Sequence, residues 1–171
     1  EPDVDTPQHI KDAAVAALAA GFTKYTPSSG IPELRAGIAE KLKTENGVDY
    51  KPHQVIVNCG AKHSCFNVIM ALCDEGDEVI IPAPFWLSYP EMVRLAGGVP
   101  VVVETTEANQ FKITPEQFAD AMTPRTKMII LNSPGNPTGT VYSRQELQAL
   151  AEVALEEDIW MLSDEIYEKI V

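Results

Sequence analysis

The feature that most restricts the fold of this chain is a repeated alternation along its length. Short runs that are apolar at nearly every position, at residues 55–57, 78–81, 99–103, 127–132 and 159–163, are separated by stretches with apolar residues at helical spacing. A strand that is apolar on both sides must be covered on both sides. Helices supply that cover: Cys65, Val68, Ile69 and Leu72 form one stripe, and Leu147, Leu150, Ala151, Ala154 and Leu155 form another. Two of the helices announce their starts. Thr114-Pro-Glu-Gln117 and Ser143-x-x-Glu146 both place a hydroxyl three residues before an amide or carboxylate, which is the pattern of a capping box. Helices are also predicted before the alternation begins. One opens at Thr6 with Pro7 at its first position, carries Ile10, Ala13, Ala14, Ala17 and Leu18, and stops at Gly21. The other starts near Pro32, shows Ile31, Leu34, Ile38 and Leu42 on one face, and ends at Asn46-Gly47. The expected architecture is α/β, a three-layer αβα sandwich around a mostly parallel sheet.

With 45% hydrophobic residues the chain can build a sizeable core. No run approaches the ~20 apolar residues of a membrane span. The N-terminus has no basic region followed by an apolar one, and no initiator Met, so the chain is expected to begin inside a longer product. The net charge of −12 argues against non-specific nucleic-acid binding, which needs clustered Lys and Arg, and fits a soluble cytoplasmic surface. Cys59, Cys65 and Cys73 lack CxxC spacing, and Cys65 and Cys73 fall on a helix's apolar face. Reduced, buried thiols are expected there, and no metal site.

In open α/β sheets ligands sit beyond the carboxyl ends of the strands, and four such ends carry unusual residues. Asn58-Cys-Gly60-Ala61-Lys62 leads into a helix whose free N–H groups and positive dipole end suit a phosphate, although it could be a plain connection. Pro82-Ala-Pro84-Phe-Trp86 is a stiff loop presenting aromatics that can stack on a flat ring or pack on the core. In Asn132-Ser-Pro134-Gly-Asn136-Pro137-Thr-Gly139, Pro and Gly hold Asn136 as a positioned amide donor. In Ser163-Asp164-Glu-Ile-Tyr167, a carboxylate follows an apolar strand. It needs a partner there, such as a protonated ring nitrogen, unless it simply caps a helix.

These motifs resemble those of class I/II aminotransferases of the aspartate aminotransferase kind. The resemblance rests on Tyr25-Thr-Pro-Ser-Ser-Gly-Ile-Pro-Glu-Leu-Arg35, Pro134-Gly-Asn-Pro-Thr-Gly139 and Ser163-Asp-Glu-Ile-Tyr167, in order and at family-like intervals, and on Glu1-Pro-Asp-Val-Asp-Thr-Pro7. It implies pyridoxal 5′-phosphate as cofactor, fold type I, a homodimer, and amino acid and 2-oxo acid substrates. Residues 1–24 would be an amino-terminal segment on the small-domain side, and 25–171 part of the large cofactor-binding domain. Carried over by motif, Asp164 is the partner of the pyridine nitrogen, and Asn136 and Tyr167 are partners of the ring oxygen. Asn136 also helps hold the substrate α-carboxylate. Trp86 is the stacking ring, also at the substrate side. Gly60, Ala61 and Lys62 form the phosphate-side turn, with Lys62 serving either the phosphate or the distal carboxylate of an acidic substrate. Tyr25 reaches the phosphate of the neighbouring subunit.

The resemblance also implies a cofactor-bearing lysine in a Ser-x-x-Lys context beyond the Asp-Glu-Ile-Tyr motif, which these 171 residues do not contain. The chain alone is therefore expected to hold much of the pocket without turning over. The family implies, too, that later strands return between residues 55–57 and 127–132, leaving residues 128–131 unpaired on one side. Three other readings compete: a carbon–sulfur β-lyase or a cyclopropane-carboxylate synthase of the same fold, a non-catalytic domain for a phosphorylated ligand or a partner protein, and a dinucleotide-binding domain. The last predicts a GxGxxG that Asn58-Cys-Gly-Ala-Lys-His63 does not supply.

Overall fold

Four of the five apolar runs become a parallel sheet, with helices packed on both of its faces. In a computed structural model, which describes residues 3–170, the chain divides into two units, Glu1–Val57 and Asn58–Val171. Glu1 and Pro2 of the amino-terminal motif, and Val171, lie outside the described residues.

The second unit holds α3 (Ala61–Leu72), β1 (Glu78–Ala83), α4 (Ser88–Leu95), β2 (Val99–Glu104), α5 (Pro115–Asp120), β3 (Thr126–Asn132), α6 (Arg144–Glu156) and β4 (Trp160–Asp164). The strands run in the order β2-β1-β3-β4, and all pairs are parallel. Successive strand residues point to opposite faces, which sorts the core into two layers. Val79, Ile81, Met128 and Ile130 meet Cys65 and Ile69 of α3 and Tyr89, Met92 and Val93 of α4. Ile80, Ile129 and Leu131 meet Phe118 of α5 and Leu150 and Ala154 of α6. This is the expected three-layer sandwich. Both capping boxes form: Thr114 Oγ1 accepts from Gln117 N at 3.2 Å, and Ser143 Oγ from Glu146 N at 3.2 Å.

Two expectations need correction here. β3 is hydrogen-bonded to β1 on one side and β4 on the other, so residues 128–131 are not unpaired; among the described residues the open edges belong to β2 and β4. The α6 stripe is also narrower than its spacing suggests, because Leu147 and Leu155 are exposed while Leu150 and Ala154 are buried. The sheet beneath α6 is reached by only part of the arc.

The first unit contains α1 (Gln8–Ala19), α2 (Pro32–Glu45) and a short 3-10 turn at Pro52–Gln54. Residues 55–57 are not a strand, contrary to their composition. Their polar groups are taken locally: Val57 N–H donates to Ser29 O at 3.0 Å, and Val55 O accepts from Arg35 Nε at 2.9 Å. Arg35 also donates to Pro52 O at 2.9 Å and Ser29 Oγ at 3.1 Å. The 25–35 motif thus anchors the end of its own unit. α1 has helical periodicity but no buried residue, with Ile10, Val15 and Leu18 all exposed.

Candidate active site

Because all four strands are parallel, their carboxyl ends lie along one rim of the sheet, and the loops leaving them meet there. Asn132 closes β3 and Asp164 closes β4, and the two are register partners. Asn132 Nδ2 donates to Asp164 O at 2.9 Å, and Asn132 Oδ1 accepts from the Asn136 backbone N–H at 2.7 Å. One asparagine therefore ties the strand end to the Pro/Gly loop. The loop contains cis peptides at Ser133-Pro134 and Asn136-Pro137. Its product is the placement of the Asn136 amide, whose Nδ2 lies 3.4 Å from the Tyr167 hydroxyl.

Asp164 is buried at 7% exposure. Its Oδ2 accepts from the Tyr89 hydroxyl at 2.7 Å and lies 3.7 Å from Cys65 Sγ. Its Oδ1 accepts from Ile166 N at 3.2 Å. Residues 166–169 form a turn rather than a helix, so Asp164 caps the start of that turn through one oxygen and meets Tyr89 and Cys65 of the core through the other. Each donor that reaches the carboxylate here is neutral. Burial, then the neighbouring Asp164 charge, pushes the Cys65 thiol up to about 12. Burial, then the bond to Asp164, raises the Tyr89 phenol well above its ordinary value. Both groups stay protonated at neutral pH and donate to the carboxylate.

The β1 exit completes the rim. Trp86 is half-buried and meets Tyr89 edge-to-face, with ring centroids 5.3 Å apart and planes at 87°. Lys62 Nζ lies 4.8 Å from the Trp86 ring centroid, so its ammonium rests against the indole. Lys62 sits in the first turn of α3, where the N–H groups of Ala61 and Lys62 have no partner within the helix by construction. Gly60 precedes them with φ of 91°, a conformation that glycine adopts without strain.

The expected site residues of the second unit are thus linked by successive contacts, from the α3 turn through Lys62, Trp86, Tyr89 and Asp164, and from there through Asn132 to Asn136 and Tyr167. Tyr25 belongs to the first unit and is fully exposed there. Sequence reasoning missed Tyr89 and Asn132. Tyr89 was readable in principle, because it shares the inward face of α4 with Met92 and Val93, and a phenol on such a face needs a partner.

The chain has close counterparts among known proteins. The family model described as aminotransferase class I and II matches residues 1–171. An aspartate aminotransferase of Geobacillus stearothermophilus is 58% identical over 170 residues, covering 99% of this chain and 43% of that protein. An aspartate/prephenate aminotransferase of Thermus thermophilus is 54% identical over 171 residues, covering all of this chain and 44% of the relative. The solved structure of aspartate aminotransferase from Thermus thermophilus with maleate superposes with a TM-score of 0.97 at 54% identity, covering 100% of this chain and 45% of that one. The aromatic aminotransferase from Pyrococcus horikoshii does so with a TM-score of 0.95 at 43% identity, covering 98% of this chain and 45% of that one. The chain spans less than half the length of these relatives.

Proposed function

The chain belongs to the class I and II aminotransferases, and from that premise we propose that it provides most of the cofactor pocket of a pyridoxal-phosphate enzyme that moves an amino group between an amino acid and a 2-oxo acid. One observation carries the reading: a buried carboxylate, Asp164, held by neutral donors at the rim where Asn136 and Tyr167 converge. A carboxylate has about four acceptor positions. Phenol, thiol and one backbone amide take three of Asp164's, leaving room for one more N–H donor. A protonated pyridine nitrogen is such a donor and matches the carboxylate in charge.

When bound, the cofactor supplies an electron sink for the pair released at the substrate α-carbon. Everything else is done by the chain's own groups. Asp164 holds the proton on the ring nitrogen. The Asn136 amide and the Tyr167 hydroxyl donate to the ring oxygen, and Asn136 also orients the substrate carboxylate. Trp86 offers a flat apolar surface and excludes water. Gly60, Ala61 and Lys62 receive the phosphate at the α3 amino terminus. An anion there competes with the indole for the Lys62 ammonium, which leaves Lys62 serving either the phosphate or an acidic substrate's distal carboxylate. That second possibility, together with the names of the relatives, favours an aspartate-like substrate. Tyr25 belongs to the phosphate site of a neighbouring subunit in a homodimer. Residues 1–24 form the amino-terminal segment, residues 25–171 belong to the large domain, and the setting is cytoplasmic.

The test uses a polypeptide of the relatives' full length carrying this sequence, assayed for transfer from aspartate to 2-oxoglutarate and for cleavage of cystathionine. Transfer is expected, and Asp164→Ala should lower kcat/KM by about a hundredfold or more, the scale of losing one preorganised electrostatic partner. Cystathionine cleavage without transfer would instead identify a β-lyase. The 171-residue chain on its own should show no turnover, since it has no Ser-x-x-Lys motif. Borohydride reduction with pyridoxal phosphate and peptide mapping checks this: a single stoichiometric adduct accompanied by turnover would refute it.

A further inference from the structure

Two side chains that no part of the proposed mechanism uses converge on the carboxylate at its centre. Tyr89 lies in the first turn of α4, 2% exposed, and Cys65 lies on the inward face of α3, 4% exposed. They come from different helices and reach the same oxygen, Asp164 Oδ2, at 2.7 Å and 3.7 Å. An oxygen that accepts two hydrogen bonds has both lone pairs engaged. Among the described residues the other oxygen, Oδ1, accepts only from the Ile166 amide. The two oxygens of Asp164 are therefore inequivalent. Oδ2 is saturated by the layer of helices, and Oδ1 keeps one position open.

We propose that Tyr89 is a positioning residue for Asp164: its hydroxyl, backed by the Cys65 thiol, fixes the plane of the carboxylate and fills Oδ2, so that Oδ1 is the atom presented to the ring nitrogen of the cofactor. The proposal rests on the function proposed above. The geometry around Tyr89 supports it. The phenol is wedged edge-on against Trp86, so the group that orients the carboxylate is in contact with the ring assigned to stack on the same cofactor. One aromatic pair would then bear both on the stacking surface and on the direction of the carboxylate that would receive the ring N–H. Without the hydroxyl, the carboxylate is free to rotate about its side-chain bonds toward the Ile166 amide, and Oδ1 no longer points outward by default. The thiol is a weak donor at a long distance, so its share is the smaller one.

The distinguishing experiment varies the ligand as well as the protein. Tyr89→Phe is made in a polypeptide of the relatives' full length carrying this sequence. Equilibrium dissociation constants are measured for pyridoxal 5′-phosphate and for its analogue with CH in place of the ring nitrogen. The parent protein should prefer pyridoxal 5′-phosphate. The variant should lose about tenfold of that preference, which corresponds to one pK unit or about 1.4 kcal/mol, while its affinity for the analogue stays within about twofold. Equal weakening of both ligands would show that Tyr89 serves only the packing of the pocket, and no change in either would show that it does not orient Asp164; both overturn the proposal. A parent protein that binds both ligands alike, or neither, would overturn the functional reading itself, an outcome separate from any property of the variant. Cys65→Ala gives the second measurement should Tyr89→Phe fold poorly. It should lower the same preference about threefold, and equal losses for both ligands would again count against the proposal.

Discussion

Gly30 and Gly60 both hold a positive φ, 98° and 91°, yet the two positions make different demands. A Cβ added at Gly60 meets nothing within 4 Å, so Gly60→Ala incurs only the backbone cost of holding an essentially glycine-only φ/ψ pair, about 1–3 kcal/mol. A Cβ at Gly30 would lie 2.6 Å from Val57 Cγ2 and 2.7 Å from Val57 Cβ. Val57 is held there by its bond to Ser29 O, so it cannot simply withdraw. Gly30→Ala should therefore cost about 2–4 kcal/mol, the strain plus an overpacking penalty, and lower the denaturation midpoint more than Gly60→Ala. Equal losses in urea titrations would refute this ranking. The same contrast explains what was legible at this scale. Trp86, Asn136, Asp164 and Tyr167 could be singled out because residues at strand ends are few and chemically conspicuous, whereas Gly60 was found by its place before a helix, since the run that precedes it is not a strand. Tyr89 was not, because its significance lies in a contact with Asp164, 75 positions away in sequence, that no local spacing encodes.

Among elements, the caps are where local sequence and final structure agree most directly, since a capping box needs only residues three apart. Ser143→Ala should cost about 1 kcal/mol by removing the hydroxyl that accepts from Glu146 N. Glu146 adds a pH dependence. Its carboxylate accepts from Ser143 N–H and lies 3.0 Å from Lys112 Nζ through each oxygen, and these bonds hold its carboxyl below the ordinary value of 4.5. A lowered folded value means that the unfolded chain binds the proton more readily. The contribution is thus complete above the ordinary glutamate range and is lost as pH falls from about 4.5 through the lower folded value. Glu146→Gln should flatten the stability profile on that acid side, read from urea midpoints at successive pH values; an unchanged slope would show that the pair contributes nothing. Elements that depend on distant partners were less legible. The run at 55–57 has the composition of a strand, but its N–H and C=O groups bond to Ser29 and Arg35, and composition cannot reveal that. Likewise the spacing of Leu147 and Leu155 is helical, while their exposure depends on how far the sheet extends beneath α6.

At the scale of the whole molecule, the sheet has two dissimilar margins. β2 is bonded to β1 alone and β4 to β3 alone, so each presents one row of backbone groups without a strand partner among the described residues. The β4 margin is the more adhesive. Trp160 on the strand itself is 55% exposed, and Leu155 just before it and Ile166 and Ile170 just after it are 81%, 58% and 71% exposed. An open strand edge beside exposed apolar side chains is a template for pairing with another chain. The net charge of −12 opposes this at long range, but screening over about 8 Å at physiological salt removes most of that opposition. The 171-residue chain on its own should therefore self-associate, with a weight-average mass that rises with protein concentration and with salt in sedimentation equilibrium. Trp160→Lys places a charge on the margin, in the manner of natural edge strands, and should shift the distribution toward monomer without lowering the helical signal in circular dichroism. A parent chain that sediments as a single monomer across a hundredfold range of concentration would show that the β4 margin is already protected by its own turn at residues 166–169.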